Sequence, residues 1–117
     1  MQLTNKSTKL EIEIIKWLKT NQLQLKEQLE KSTIIKREYS GAGFFFEFSV
    51  PKNVTKIKNA IKRINGPSIK SSLLPNGANS IIFLEDGHIS TLEVFGYDNI
   101  FPEEINEFKL CENEIKK

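Results

Sequence analysis

Ser80-Ile81-Ile82-Phe83-Leu84-Glu85-Asp86-Gly87-His88-Ile89-Ser90-Thr91-Leu92-Glu93-Val94-Phe95 is the stretch that decides the fold. Two runs rich in β-branched and aromatic residues flank Asp86-Gly87, a pair that readily takes positive φ at both central positions of a type I′ turn. The stretch therefore reads as an antiparallel hairpin. In its second run, alternation groups Glu93 with Ile89, Thr91 and Phe95, and a carboxylate on a partly apolar strand face needs a partner. Arg37, one of two arginines in the chain, lies in another predicted strand. Its guanidinium can supply a bidentate bond, so a structural Arg37–Glu93 pair is expected.

Thr33-Ile34-Ile35-Lys36-Arg37-Glu38-Tyr39 and Gly43-Phe44-Phe45-Phe46-Glu47-Phe48-Ser49-Val50 are a second pair of strand-like runs. Ser40-Gly41-Ala42-Gly43 between them can turn the chain into another hairpin. Phe44, Phe46, Phe48 and Val50 share one face, and Phe45, Glu47 and Ser49 the other, so aromatics stand on both faces of the sheet. One face is expected to cover helices. The other needs a cover of its own, from residues 53–74 or from a partner. Pro51 ends the strand or leaves it at an edge.

The first 31 residues read as helical. Leu10, Ile14, Trp17 and Leu18 recur at helical spacing, and Thr8 with Glu11 makes a capping box. Thr20-Asn21-Gln22 interrupts the stripe before Leu25 and Leu29 resume it. Two helices, or one bent helix broken near residue 21, fit this pattern, with Trp17 as a core anchor. Ile57, Ile61 and Ile64 also have helical spacing, and a short helix over 54–65 is favoured over an irregular loop. Ile69 to Leu74 reads as a short strand before a Pro75-Asn76-Gly77 turn. Alternation through Phe108 and Leu110 favours a last strand over a helical turn. The expected architecture is α+β: an N-terminal helix or helix pair packed on a mainly antiparallel sheet of four to six strands. One domain is expected over 1–117, helical over 1–31 and mostly strand over 32–111.

With 117 residues, 38% hydrophobic and 27% charged, the chain has the composition of a small soluble domain with its own core. A single cysteine, Cys111, excludes an internal disulfide framework, and a single histidine, His88, excludes a multi-His metal centre. Lys6, Lys9, Glu11 and Glu13 leave no apolar run for a secretory signal, and no stretch reaches the roughly 18–20 apolar residues of a membrane helix. A cytoplasmic location without membrane contact is the expectation. The net charge of +2 conceals an asymmetry: residues 48–84 carry six basic side chains and no acid, while residues 85–117 carry nine acids against three lysines. Such fields either neutralise each other within the fold or mark a surface for a charged partner. The basic segment from Lys52 to Lys70 lacks the interleaved aromatics of a single-strand binder, which makes nucleic acid the weaker partner class.

No catalytic set emerges, and no cofactor or metal site is read from the sequence. Ser40-Gly41-Ala42-Gly43 precedes a strand instead of a helix and lacks Gly-Lys-Ser/Thr, so its glycines serve a turn or a close approach rather than a phosphate. His88 sits at a hairpin end with no nucleophile beside it. Cys111 lies among Glu107, Glu112 and Glu114, which disfavour a thiolate. Glu93 with Glu47 as an acid/base pair depends on a separation that sequence does not give. Tyr97, Phe101 and Pro102, in a turn-rich acidic segment, have the composition of a protein-binding loop, with local loop packing as the competing explanation.

Arg37-Glu38-Tyr39-Ser40-Gly41-Ala42-Gly43-Phe44-Phe45, then Phe48 with Val50-Pro51, then Phe83-Leu84-Glu85-Asp86-Gly87-His88-Ile89, Leu92-Glu93-Val94-Phe95 and Phe101-Pro102-Glu103 resemble a family of small uncharacterised bacterial proteins. Its members read Arg-Glu-Tyr-Thr-Gly-x-Gly-Phe-Phe and Leu-Glu-x-Tyr-x-Tyr before Trp-Pro. This chain has Ser40 where Thr is usual and Phe101 where Trp is common. The resemblance implies an immunity or accessory role in bacterial contact systems. The leading expectation is a non-enzymatic cytosolic protein that binds a protein partner, such as a toxin to be neutralised, through Tyr39, Glu93, Tyr97 and Phe101. The alternatives are a small-ligand binder or small enzyme with a Glu93/Arg37/His88 pocket, and a nucleic-acid binder using residues 52–70.

Overall fold

The computed structural model describes residues 2–3, 8–58, 60–98 and 100–112. In chain order it comprises β1 (Gln2–Leu3), α1 (Lys9–Asn21), a 3₁₀ turn (Leu23–Leu25), α2 (Lys26–Lys31), β2 (Thr33–Tyr39), β3 (Gly43–Ser49), β4 (Arg63–Asn65), β5 (Ser68–Ser71), β6 (Leu74–Glu85), β7 (His88–Gly96) and β8 (Lys109–Cys111). The strands form one eight-stranded sheet in the order β1-β2-β3-β7-β6-β5-β8, with β4 pairing on β6 as well. Every pairing is antiparallel. The architecture is α+β, a helix pair on an antiparallel sheet. The strand count exceeds the expected four to six because β1, β4 and β8 are two or three residues long, too short to show alternation.

Both anticipated hairpins form. Asp86 and Gly87, at φ of 50° and 80°, turn β6 into β7. Residues 40–42 turn β2 into β3, and Phe44, Phe46 and Phe48 enter the core from β3. Gly43 is required by contact: a Cβ there would stand 1.9 Å from the Val94 carbonyl oxygen on β7. Leu10, Ile14 and Leu18 of α1, then Leu25 and Leu29, pack onto this face and join Ile82, Leu92 and Val94 in a single cluster that reaches Ile105. Trp17 is half-buried at the margin of that cluster instead of anchoring it. Thr8 caps α1 by accepting the Glu11 N–H at 3.2 Å, but Glu11 sends its carboxylate to Arg37, so only half of the capping box forms.

Three local expectations are corrected. The start of the chain is not wholly helical, since Gln2–Leu3 pairs with Tyr39 and Glu38; residues 1 and 4–7 lie outside the described ones. No helix occupies the described part of 54–65. The Ile57 N–H donates to the Gly87 carbonyl at 2.9 Å, the Leu84 N–H donates to the Lys62 carbonyl at 2.8 Å, and β4 pairs with β6. Val54, Ile57 and Ile64 are buried by an extended segment whose isoleucines match helical spacing without using it. Pro75-Asn76-Gly77 is the start of β6 and not a turn; the chain reverses at Ser72 and Leu73, and an irregular register between β5 and β6 accommodates a proline without an N–H.

Gln28 is fully buried and ties three segments together. Its Nε2 donates to the Thr55 and Gly87 carbonyls, each at 2.9 Å, and its Oε1 accepts the Ile89 N–H at 2.8 Å. The amide thus fixes α2 to the β6–β7 turn and to the segment that precedes β4.

Candidate functional site

Strand parity separates the sheet into an inner face, which carries the core, and an outer face. Cross-strand partners share a face, so Phe45 (β3), Glu93 (β7) and Ile81 (β6) stand in one row across the outer side. Glu47, Thr91, Phe83 and Arg63 form the next row, and Phe95 and Asn79 flank on the other side. Phe45, Ile81, Phe83 and Phe95 are half-buried and belong to no part of the core cluster. Tyr97 extends this surface: it is 52% exposed, its ring lies edge-on to Phe95 at 5.7 Å, and its hydroxyl accepts from Asn79 Nδ2 at 2.7 Å.

The core cluster marks what packs on the inner side of the sheet. The helices and Ile57 lie there, as do Phe101 and Ile105 of the loop after β7. Residues 53–74, expected as one cover for the second face, instead lengthen the sheet through β4 and β5. Phe45, Ile81, Phe83 and Phe95 stay outside the core cluster and keep partial exposure. The outer face is aromatic, mixed in charge and partly exposed.

Its electrostatics are uneven. Lys36 Nζ lies 3.0 Å from Glu38 and 3.7 Å from Glu47. The hydrogen bond to Glu38, then the charges of Glu38 and Glu47, hold the Lys36 amine above the ordinary lysine range. Glu93 has no such neighbour. The expected Arg37–Glu93 pair does not form, because Arg37 pairs in register with Phe46 and so faces inward, while Glu93 faces outward. Arg37 instead grips Glu11 of α1 in a two-pronged bond, Nε to Oε1 at 2.8 Å and Nη2 to Oε2 at 3.1 Å. Their guanidinium and carboxylate are 18% and 4% exposed, and the bond raises the Arg37 pKa. Ile89 also leaves the group assigned to Glu93, since a register shift at Ser90 turns it into the core.

Of the four residues expected at an interface, Glu93 and Tyr97 stand on the outer face and the other two do not. Phe101 is 1% exposed and meets Phe44 edge-on at 5.7 Å. Tyr39 donates its hydroxyl to the Phe101 carbonyl, and the Phe101 N–H donates to the Gly41 carbonyl at 2.7 Å. The motifs Tyr39-Ser40-Gly41-Ala42-Gly43-Phe44 and Phe101-Pro102 therefore meet in one inner corner, where they hold the loop after β7 against the β2–β3 turn. The aromatics of the outer face were legible only as the off-phase positions of strands, Phe45 between Phe44 and Phe46 and Phe83 between Ile82 and Leu84.

The Glu93/Arg37/His88 pocket is dispersed. Arg37 is inside, Glu93 is central on the outer face, and His88 is at the end of β7 opposite Glu85. A cavity of about 340 Å³ at that end is lined by Glu47, Glu85, Asp86, His88 and Ser90, among others. His88 Nε2 is buried there without a hydrogen-bond partner among the described residues. No group of acidic, histidine and cysteine side chains among the described residues can hold a metal ion. No described helix is long and apolar enough to cross a membrane. The basic residues 52–70 are spread along an extended segment and two strands, β4 and β5, instead of one helical face.

No family model matches the chain, and neither a curated protein nor a solved structure matches it.

Proposed function

We propose that this chain is a non-enzymatic binding protein whose outer sheet face docks a protein partner. The partner class that the sequence resemblance implies is a bacterial toxin, which the bound protein neutralises in the cytoplasm. The observation that carries the reading is the group of half-buried aromatic and aliphatic side chains, Phe45, Ile81, Phe83 and Phe95, on the sheet face opposite the core cluster. Contiguous apolar surface rimmed by polar groups is characteristic of interaction sites, and aromatic anchors dominate their energetics. Arg37, Glu93 and His88 do not share one pocket, which favours this reading over a small-ligand site built from those three residues.

The test is capture from the native host's lysate, followed by reconstitution with the purified captured protein. Wild type is expected to bind it, and Phe83→Lys or Phe95→Lys to lose binding by about tenfold or more, in line with truncation of a central anchor. Leu23→Lys, at a residue that is 72% exposed on the helix side, serves as the control and is expected to bind as wild type. Unchanged affinity in both face variants, with wild-type melting curves, refutes the assignment.

A further inference from the structure

We infer that the partner surface presents an arginine or lysine, surrounded by apolar side chains, that seats on Glu93. The inference rests on the docking reading above and specifies its chemistry. Glu93 occupies the centre of the outer face. Its strand, β7, is the middle one of β2-β3-β7-β6-β4, and its lateral neighbours are Phe45 and Ile81. Lys36 is held between Glu38 and Glu47, and Arg63 stands on β4, two strands or about 10 Å to the side. Among the described residues no cation pairs with Glu93.

A partner that covers Phe45, Ile81, Phe83 and Phe95 must also cover Glu93 and strip the water from its open side. A carboxylate left unpaired beneath an interface is strongly unfavourable, so a purely apolar partner is rejected at the point where contact is closest. A guanidinium or ammonium delivered to the same point converts that penalty into a charge-assisted hydrogen bond, bidentate in the case of arginine. A second copy of this chain is a poor occupant. A two-fold axis through the centre of the face sets Glu93 against Glu93, and like charges brought together at an interface oppose association.

The experiment pans a displayed library of random peptides against the full-length chain and measures the enriched peptides, as synthetic probes, on wild type, Glu93→Gln, Glu93→Lys and Phe83→Lys. Melting curves for each variant establish that it is folded. The expected probes carry Arg or Lys beside aromatic or aliphatic residues. They weaken about tenfold or more on Glu93→Gln, a typical loss for a close interfacial charge pair, and more on Glu93→Lys. Probes that need Phe83 but carry no cation and ignore Glu93→Gln overturn the cationic partner while leaving the docking face intact. Probes indifferent to both Phe83 and Glu93, or no enrichment at all, overturn both. Sedimentation of wild type that reveals a dimer dissociated by Phe83→Lys assigns the face to a second copy and also overturns the inference.

Discussion

Replacing Gln28 by Met keeps the length and nearly the volume of the side chain and removes its hydrogen-bonding atoms. The native amide is fully buried and makes three bonds. Gly87 keeps one partner after the change, because its carbonyl also accepts the Ile57 N–H at 2.9 Å. Thr55 loses the Gln28 bond to a carbonyl that solvent can partly reach. Ile89 loses the Gln28 acceptor for a buried N–H. An orphaned buried backbone group costs about 1–3 kcal/mol, so roughly 3 kcal/mol or slightly more is lost, with the thioether's apolar burial returning some of it. Against a total of about 5–15 kcal/mol for a domain of this kind, that is a large fraction. Urea denaturation should show the midpoint falling without a change in slope. Amide exchange at Ile89 should accelerate more than exchange at Leu92, which lies deeper in β7. A Gln28→Met protein within about 1 kcal/mol of wild type, with Ile89 still protected, refutes the view that this amide is a structural clasp.

Glu11→Gln keeps the shape of the carboxylate but removes its charge from the two-pronged bond to the inward-facing Arg37, and a loss of about 2 kcal/mol is expected after allowance for the partial exposure of the guanidinium. The double variant Glu11→Leu/Arg37→Met should recover most of that loss in thermal melts, because well-packed apolar groups replace buried ion pairs with little penalty. Gly43→Ala forces β3 away from the Val94 carbonyl and is expected to destabilise by about 1–3 kcal/mol or more, read as a depressed melting temperature. Glu27 has its pKa lowered, first by the Thr55 backbone N–H and then by Lys31. Its folded value lies below its unfolded value, so its contribution is complete above the ordinary glutamate pKa of about 4.3 and disappears as pH falls through the folded value. Melting curves of wild type and Glu27→Gln should therefore differ at pH 7 and converge in acid; a gap that persists or widens in acid refutes the assignment.

Much of the fold was legible because it rests on local signals. Asp86-Gly87 can take the positive φ values that its turn needs, and Phe44, Phe46 and Phe48 alternate strictly enough to define an inner face. The isoleucines at 57, 61 and 64 misled because three residues can satisfy helical spacing by coincidence. Hydrogen bonds to Gly87 and Leu84, both distant in sequence, decided the backbone there. The bulge at Ser90 had a similar effect, moving Ile89 to the face opposite Glu93.

The candidate site divides along the same line. The sequence by itself determined that Phe45 stands off-phase from its neighbours, that Glu93 interrupts an apolar run, and that no catalytic, cofactor or metal motif can be read. Parity along one strand is a local property, and it survives into the fold. Only the tertiary structure decided which face the helices cover, and hence that Phe45, Phe83, Phe95 and Glu93 share the opposite one while Tyr39 and Phe101 meet inside. It also decided that Arg37 binds Glu11 and not Glu93. Pairing between strands and helices depends on register and on which side of the sheet an element packs. Those are relations between distant segments, and no spacing within one segment encodes them.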